Sequence, residues 1–444
     1  MKFDKTNSLS RRAHELIPGG CHTYAKGDDQ YPVLAPGFID RGLGCHIWDL
    51  DGNEYIEYGM GLRAVTLGHC FPAVLDAVHH ELNRGTNFNR PNQIEIECAE
   101  ELLGMIEGGE MVKFCKDGSG ATTAAMRLAR AYTGRDIVAF CGDHPFFATN
   151  DWFIGATPMP AGIPEAIRNL SVTFRYNNIE SVRKMFADHP GKIAAVILEP
   201  AKYDDPKDNY LHEVQRLCRD NGAVFVLDEM ITGFRWHNGG AQKHYGLIPD
   251  LCTFGKALAN GFSVSALLGK REIMELGGLY HDRERVFLLS TTHGAEMPAL
   301  AAAIATMRVY QNEPVIEHLW RQGESLRKGA EQVIARHGLQ NQISIIGKPC
   351  CMVFGTKDQD GKPSQEFRTL FLQETIKRGV MMTTLIMSYS HSDEDVQKTV
   401  DAIDGALGVY KKAMNDGVEK YLVGRPSQNP MASYHTEPYK RMPG

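Results

Sequence analysis

A chain of 444 residues is too long for one simple core, so two or three packed units are expected. Its 43% hydrophobic and 23% charged residues fit a soluble globular enzyme, and a net charge of −6 leaves no basic footprint for nucleic acid or an anionic membrane. Ten cysteines, scattered from Cys21 to Cys351 without a CxxC pair, point to reduced thiols rather than a disulfide framework or a metal site. The N-terminal MKFDKTNSLSRR has no apolar signal core, and the longest apolar stretch, residues 299–307, is too short to span a membrane. A cytoplasmic protein is expected.

The chain opens with a short helical pattern (Leu9, Ala13, Leu16, Ile17) that Pro18-Gly19-Gly20 stops. A Gly- and Pro-containing segment follows, with Lys26 in it as a solvated charge. In GLGCHIWDLDGNEYIEYGMG, Asp51-Gly52 lies between strand-like runs, a hairpin signal. Arg63 comes just after, in GMGLRAVTLGH. A lone arginine is usually a surface residue, but among small and apolar neighbours a guanidinium suits a substrate carboxylate or phosphate. Two helical patterns fill residues 72–105. Then VKFCKDGSGATTAAMRLARAYTG sets a short apolar run against a Gly-Ser-Gly turn and an alanine-rich helix. Strand, glycine turn and helix N-terminus make an anion cup in which Gly118 and Ser119 would donate to a phosphate. The turn is neither a Walker loop nor GxGxxG, so ATP and NAD lose support.

Apolar runs then alternate with helical patterns, at residues 137–140, 194–198, 223–227, 251–254 and 264–268. That alternation predicts an α/β domain with a mostly parallel sheet. Several runs end in polar residues: GDHPFF with His144, then Glu199, then Asp228-Glu229, then Lys256. Ligands of open α/β sheets bind beyond the carboxyl ends of the strands. An ammonium there is expensive unless its pKa falls or it is consumed covalently, and a Schiff-base lysine meets both conditions. An acid on a neighbouring strand end, aimed at a pyridinium nitrogen, completes the constellation for pyridoxal phosphate (PLP). Beyond Pro314 helices and short strands alternate as in a smaller α+β domain, and from Gly417 the tail reads as irregular. The expected division is an N-terminal segment with a hairpin (1–65), a large PLP-binding domain (66–310), a small C-terminal domain (311–415) and a tail (416–444).

LDEMITGFR followed by FGKALANG at this spacing resembles the class III PLP-dependent aminotransferases of fold type I. RAHELIPGG, WDLDGNEYIEY and KDGSGATTAAMRLARAYTGRD narrow the likeness to the glutamate-1-semialdehyde aminomutase branch, from about Ser8 to Lys412. The resemblance implies that Lys256 forms the internal aldimine and moves the proton, and that Asp228 keeps the pyridine nitrogen protonated. It also implies that Gly118 and Ser119 hold the phosphate, and that Thr292 reaches a phosphate across a homodimer interface. Met230 matches the valine that packs under the ring, and Glu199 the strand-end glutamate near the pocket. The chain also departs from this branch. His144 stands where a tyrosine stacks on the ring, and Lys26 where an arginine binds the substrate carboxylate. No acid precedes Asp393 in VMMTTLIMSYSHSDED, where the aminomutases carry a gating glutamate.

The expected function is therefore an aminotransferase alternating between PLP and its pyridoxamine phosphate form. It would pass the amine of a small-molecule donor, L-glutamate being one candidate, to an aldehyde or ketone by ping-pong half-reactions. Lys26 and Arg63 favour a small anionic or sugar-like acceptor. The alternatives are an intramolecular aminomutase, then an epimerase or racemase, and, in a different class, a non-catalytic PLP-fold binding module.

Overall fold

The structure is a computed structural model and describes residues 3–428. After the helix Asp4–Leu16 the chain forms three short antiparallel strands, β1 (Ile39–Leu43), β2 (His46–Asp49) and β3 (Glu54–Glu57). Asp49 builds the turn between β2 and β3. Its carboxylate accepts from the Asp51 and Asn53 amides at 3.0 and 2.8 Å and from Tyr55 Oη at 2.9 Å. Gly52 supplies the positive φ of 87° that the turn requires.

Residues Gly61–His318 fold as one compact unit around a seven-stranded sheet. Its strands in chain order are β4 (Met111–Cys115), β5 (Ile137–Cys141), β6 (Ser171–Phe174), β7 (Ile193–Leu198), β8 (Val224–Asp228), β9 (Leu251–Phe254) and β10 (Ser265–Gly269). In space they lie in the order β4-β10-β9-β8-β7-β5-β6. Only β10 runs against the rest, pairing antiparallel with both β4 and β9. Every residue of β7, β8, β9 and β10 is buried, which explains their unbroken apolar runs: helices cover both faces of such a sheet. The helix Gly118–Thr133 packs its alanine-rich face on the sheet, burying Ala121, Ala124, Ala125 and Ala129.

The remaining unit joins the stretch up to Met60 with the stretch from Leu319 onward. After the helix Val315–His337 come β11 (Ile343–Lys348), β12 (Cys351–Thr356), the helix Gln365–Ile376, β13 (Val380–Met381), β14 (Leu385–Ile386) and the helix Asp393–Asp416. β13 pairs parallel with β3, Val380 opposite Ile56, so the N-terminal hairpin becomes part of a β1-β2-β3-β13 sheet. Ser392 and Asp395 form a capping box that starts the last helix. Of the expected tail, residues up to 428 are described and those beyond lie outside the described residues. All ten cysteines are free thiols. Among the described residues no helix is long and apolar enough to cross a membrane.

Candidate active site

Three neighbouring parallel strands end in ionisable residues. Glu199 follows β7, Asp228 closes β8, and Lys256 stands two residues past β9. Because β7, β8 and β9 are adjacent in the sheet, their carboxyl ends bring the three together. The β8 run extends one residue further than expected because Asp228 pairs in register with Thr253 of β9.

Asp228 is 3% exposed, and both of its hydrogen bonds fall on Oδ1, from the Met230 amide and from Thr253 Oγ1, each at 3.0 Å. Oδ2 is left to face a ligand donor. Burial, reinforced by Glu199, pushes the carboxyl up to about 7, against the pull of Lys256 and the two donors. Next in sequence, Glu229 serves the fold. Its oxygens accept from Thr232 Oγ1 and from the Ala241 and Gln242 amides at 2.9 and 2.6 Å, capping the short helix Gly240–Tyr245. Burial pushes it, too, up to about 7.

Lys256 is partly buried and sits in the left-handed region at φ 45°. Burial lowers its pKa while Asp228 and Glu199 oppose the shift, and Arg63 and Arg235 add to it. That lowering shifts the balance toward the neutral amine, the nucleophilic form, relative to a lysine in water. The following turn is locked by Asn260, whose side chain accepts from the Leu67 amide and donates to the Gly68 carbonyl, both at 2.9 Å.

On the other side of Asp228, the buried Glu199 meets Lys202 Nζ at 3.3 Å through Oε1, and its Oε2 has no hydrogen-bond partner. Burial raises its pKa, but Lys202, His144 and Lys256 together outweigh this and hold the carboxyl below its usual range. His144 Nδ1 accepts the Glu199 amide at 3.1 Å, which leaves the ring proton on Nε2. Burial lowers His144 to about 4, so the ring is neutral.

The helix Gly118–Thr133 begins immediately past β4, with Asp117 as its N-cap accepting from the Gly120 amide at 2.7 Å. The amides of Gly118 and Ser119, in the first turn, have no intrahelical acceptor and carry the positive end of a 16-residue helix. Ser119 Oγ accepts from the Thr149 amide at 3.0 Å. Met230 ties this turn to the lysine. A β-carbon on Gly118 would lie 2.9 Å from Met230 Sδ, and one on Gly255 would lie 2.6 Å from the same sulfur. Both glycines are needed for that close approach.

The other expected residues fall as follows. Arg63 is partly buried at φ 72°, its Nε is buried without a hydrogen-bond partner, and no described acid pairs with it. Thr292 is exposed, its carbonyl accepting from Asn87 Nδ2 at 3.0 Å. Lys26 is exposed and belongs to the other unit. Three residues of this region escaped the sequence reading: Lys202, Arg235 and Asn260. Arg235 is fully buried and donates to the Arg63 carbonyl at 2.7 Å and to Thr66 Oγ1 at 3.2 Å, holding the left-handed turn that carries Arg63. Its signal was available, since an arginine flanked by Phe234 and Trp236 is poorly placed for solvent.

A lysine and a carboxylate on adjacent parallel strand ends, with a Gly-Ser helix N-terminus beside them, define a PLP-dependent transferase of fold type I. The chain belongs to the class III aminotransferases, whose family profile matches residues 24–407. It is 32% identical to the glutamate-1-semialdehyde 2,1-aminomutase of Alkaliphilus metalliredigens (strain QYMF), over 90% of this chain and 96% of that one. It is 30% identical to the 3-aminobutyryl-CoA aminotransferase of Cloacimonas acidaminovorans (strain Evry), over 93% of this chain and 99% of that one. The PLP internal aldimine form of the FumI protein of Sphingopyxis sp. MTA144 superposes with a TM-score of 0.85 at 28% identity, covering 93% of this chain and 98% of that chain. The cofactor is PLP. The residues present fit it: an open carboxylate oxygen on Asp228, unpaired first-turn amides, and two glycines whose missing side chains leave room against Met230.

Proposed function

We propose that the protein is an aminotransferase that moves the amino group of a donor, L-glutamate being the first to test, to an aldehyde or ketone. When bound, PLP supplies an electron sink that lets the C–H bond beside an amine ionise. Asp228 holds its pyridine nitrogen, Gly118 and Ser119 donate to its phosphate, and Thr292 of a second copy completes that anion site in a cytoplasmic homodimer. Met230 and the neutral His144 would pack against its ring. With PLP bound, Lys256 Nζ would be its attachment point and, once free, the base that takes the proton from the substrate carbon and returns it. Arg63 receives the substrate carboxylate.

The observation that carries this reading is Lys256 beside Asp228 and Glu199, its pKa lowered by burial. An intramolecular aminomutase is the second reading, favoured by the 32% identity to a glutamate-1-semialdehyde aminomutase. The absence of an acid before Asp393 in the segment after β13 speaks against it.

The test is the absorbance of the PLP-loaded protein as amine donors are added one at a time. Bleaching by L-glutamate or L-alanine with release of the keto acid is the expected result. A response only to amino-aldehydes or diamines transfers the assignment to the aminomutase, and no cofactor band after incubation with PLP refutes both. Arg63→Ala should raise KM for the true carbonyl acceptor about tenfold or more, the value of a charge-assisted hydrogen bond. An unchanged KM and kcat removes Arg63 from the site. Lys256→Ala should abolish turnover, whereas a binding module would keep its function without that lysine.

A further inference from the structure

Lys202 is a charged side chain at these strand ends that the chemistry above leaves unused. It lies three residues after Glu199, and its side chain is 9% exposed. Its Nζ makes one hydrogen bond, to Glu199 Oε1 at 3.3 Å, so two of its three N–H donors are unspent. The Tyr203 ring centroid is 5.5 Å away, a weak contact for a cation. Glu199 is in the same condition: its side chain is 4% exposed, and Oε2 is buried without a partner. A buried ion pair that meets so little of its hydrogen-bonding capacity is a poor stabilising device, since desolvation of both charges is repaid only when their remaining lone pairs and protons are satisfied. A ligand that completes the ammonium removes this deficit. The neighbouring His144 is no competitor for that ligand as an anion site, because it is neutral, with Nδ1 occupied by the Glu199 amide.

A second cation of the unit, Arg63, has no acidic partner among the described residues and lies close enough to Lys256 to lower its pKa. Two incompletely matched cations, one held by Glu199 and the other acting with Glu199 on Lys256, suit a ligand with two carboxylates. We propose that Lys202 is a specificity residue: held in place by Glu199, it presents its two free N–H donors to the distal carboxylate of a dicarboxylic substrate, while Arg63 takes the other. This rests on the assignment of the strand-end site above as the substrate site. It selects acidic donors and acceptors over neutral ones of similar length.

The experiment measures the calorimetric Kd of glutarate and of butyrate on the PLP-loaded wild type, Lys202→Met and Lys202→Arg. Glutarate and butyrate cannot react, so binding is read apart from turnover. Lys202→Met should weaken glutarate about ten- to hundredfold and leave butyrate unchanged, and Lys202→Arg should recover most of the loss. Equal weakening of both anions would mean that the residue only supports the fold, and it overturns the proposal. So does a wild type that does not bind glutarate, or a Lys202→Met variant that binds it as well. A protein that binds glutarate through Lys202 but accepts an amine from no donor upholds the specificity site while refuting the aminotransferase reading.

Discussion

Replacing Asp228 with asparagine should destroy the cofactor site and yet stabilise the cofactor-free protein at alkaline pH. Asp228 is 3% exposed, and burial with Glu199 nearby raises its carboxyl from 3.8 to about 7. A pKa higher in the fold than in the unfolded chain means that folding favours the protonated form. That contribution is complete below about pH 4 and is lost as the pH climbs through 7. Three pKa units correspond to about 4 kcal/mol, and its coupling to Glu199 and Lys256 makes about 2–4 kcal/mol the working range. Asparagine keeps Oδ1 as acceptor for the Met230 amide and Thr253 Oγ1 and never ionises. Urea unfolding of the PLP-free proteins should therefore show the Asp228→Asn variant about 2–4 kcal/mol more stable than wild type at pH 8, and at most about 2 kcal/mol more stable at pH 5. Glu229 is raised mainly by burial in both proteins, and the smaller repulsion it feels from Asp228 is lost in the variant, which adds to the variant's advantage at pH 8. With PLP added the order should reverse, because the pyridine N–H gives the ionised Asp228 the donor that its Oδ2 lacks. A gap that is the same at both pH values, or a variant less stable than wild type at pH 8, refutes the reasoning.

Two further outcomes bear on the cradle around Lys256. Gly118→Ala puts a β-carbon 2.9 Å from Met230 Sδ, so PLP affinity should drop about tenfold, and adding Met230→Ala should recover part of it. Independent losses in the double variant would deny that these two residues share a contact. Asn260→Ala removes the bonds to the Leu67 amide and the Gly68 carbonyl and forces alanine to φ 46°. It should cost about 2–4 kcal/mol in urea unfolding, and Asn260→Gly should cost less because glycine tolerates that backbone. Equal costs would mean the backbone angle is irrelevant.

The site was legible where the chain had to change character abruptly. β7, β8 and β9 are buried throughout, so their sequences are apolar up to the residue at which the strand reaches the site, and Glu199, Asp228 and Lys256 stand out at those ends. The order of the strands was not legible, because interior strands all carry similar apolar runs and the partner choice is made by distant residues. β6, four residues with a partly exposed pattern, gave no signal of its own. Lys202 was missed because a lysine in a loop is ordinarily solvated, and only the fold reveals that it is enclosed with Glu199.

The pairing of β3 with β13 carries a consequence for how the chain is made. Ile56 and Val380 are more than three hundred residues apart, so the N-terminal hairpin leaves the ribosome long before its neighbour strand exists. Closing a disordered loop of that length costs on the order of 5 kcal/mol in chain entropy. If residues Gly61–His318 fold first, that part of the intervening chain has a radius of gyration of about 18 Å instead of about 56 Å, and the ends have far less space to search. During synthesis, then, the hairpin waits with exposed strand edges while the Lys256 unit completes itself. Nascent chains arrested before residue 380 are where a chaperone that shields unpaired edges would matter most.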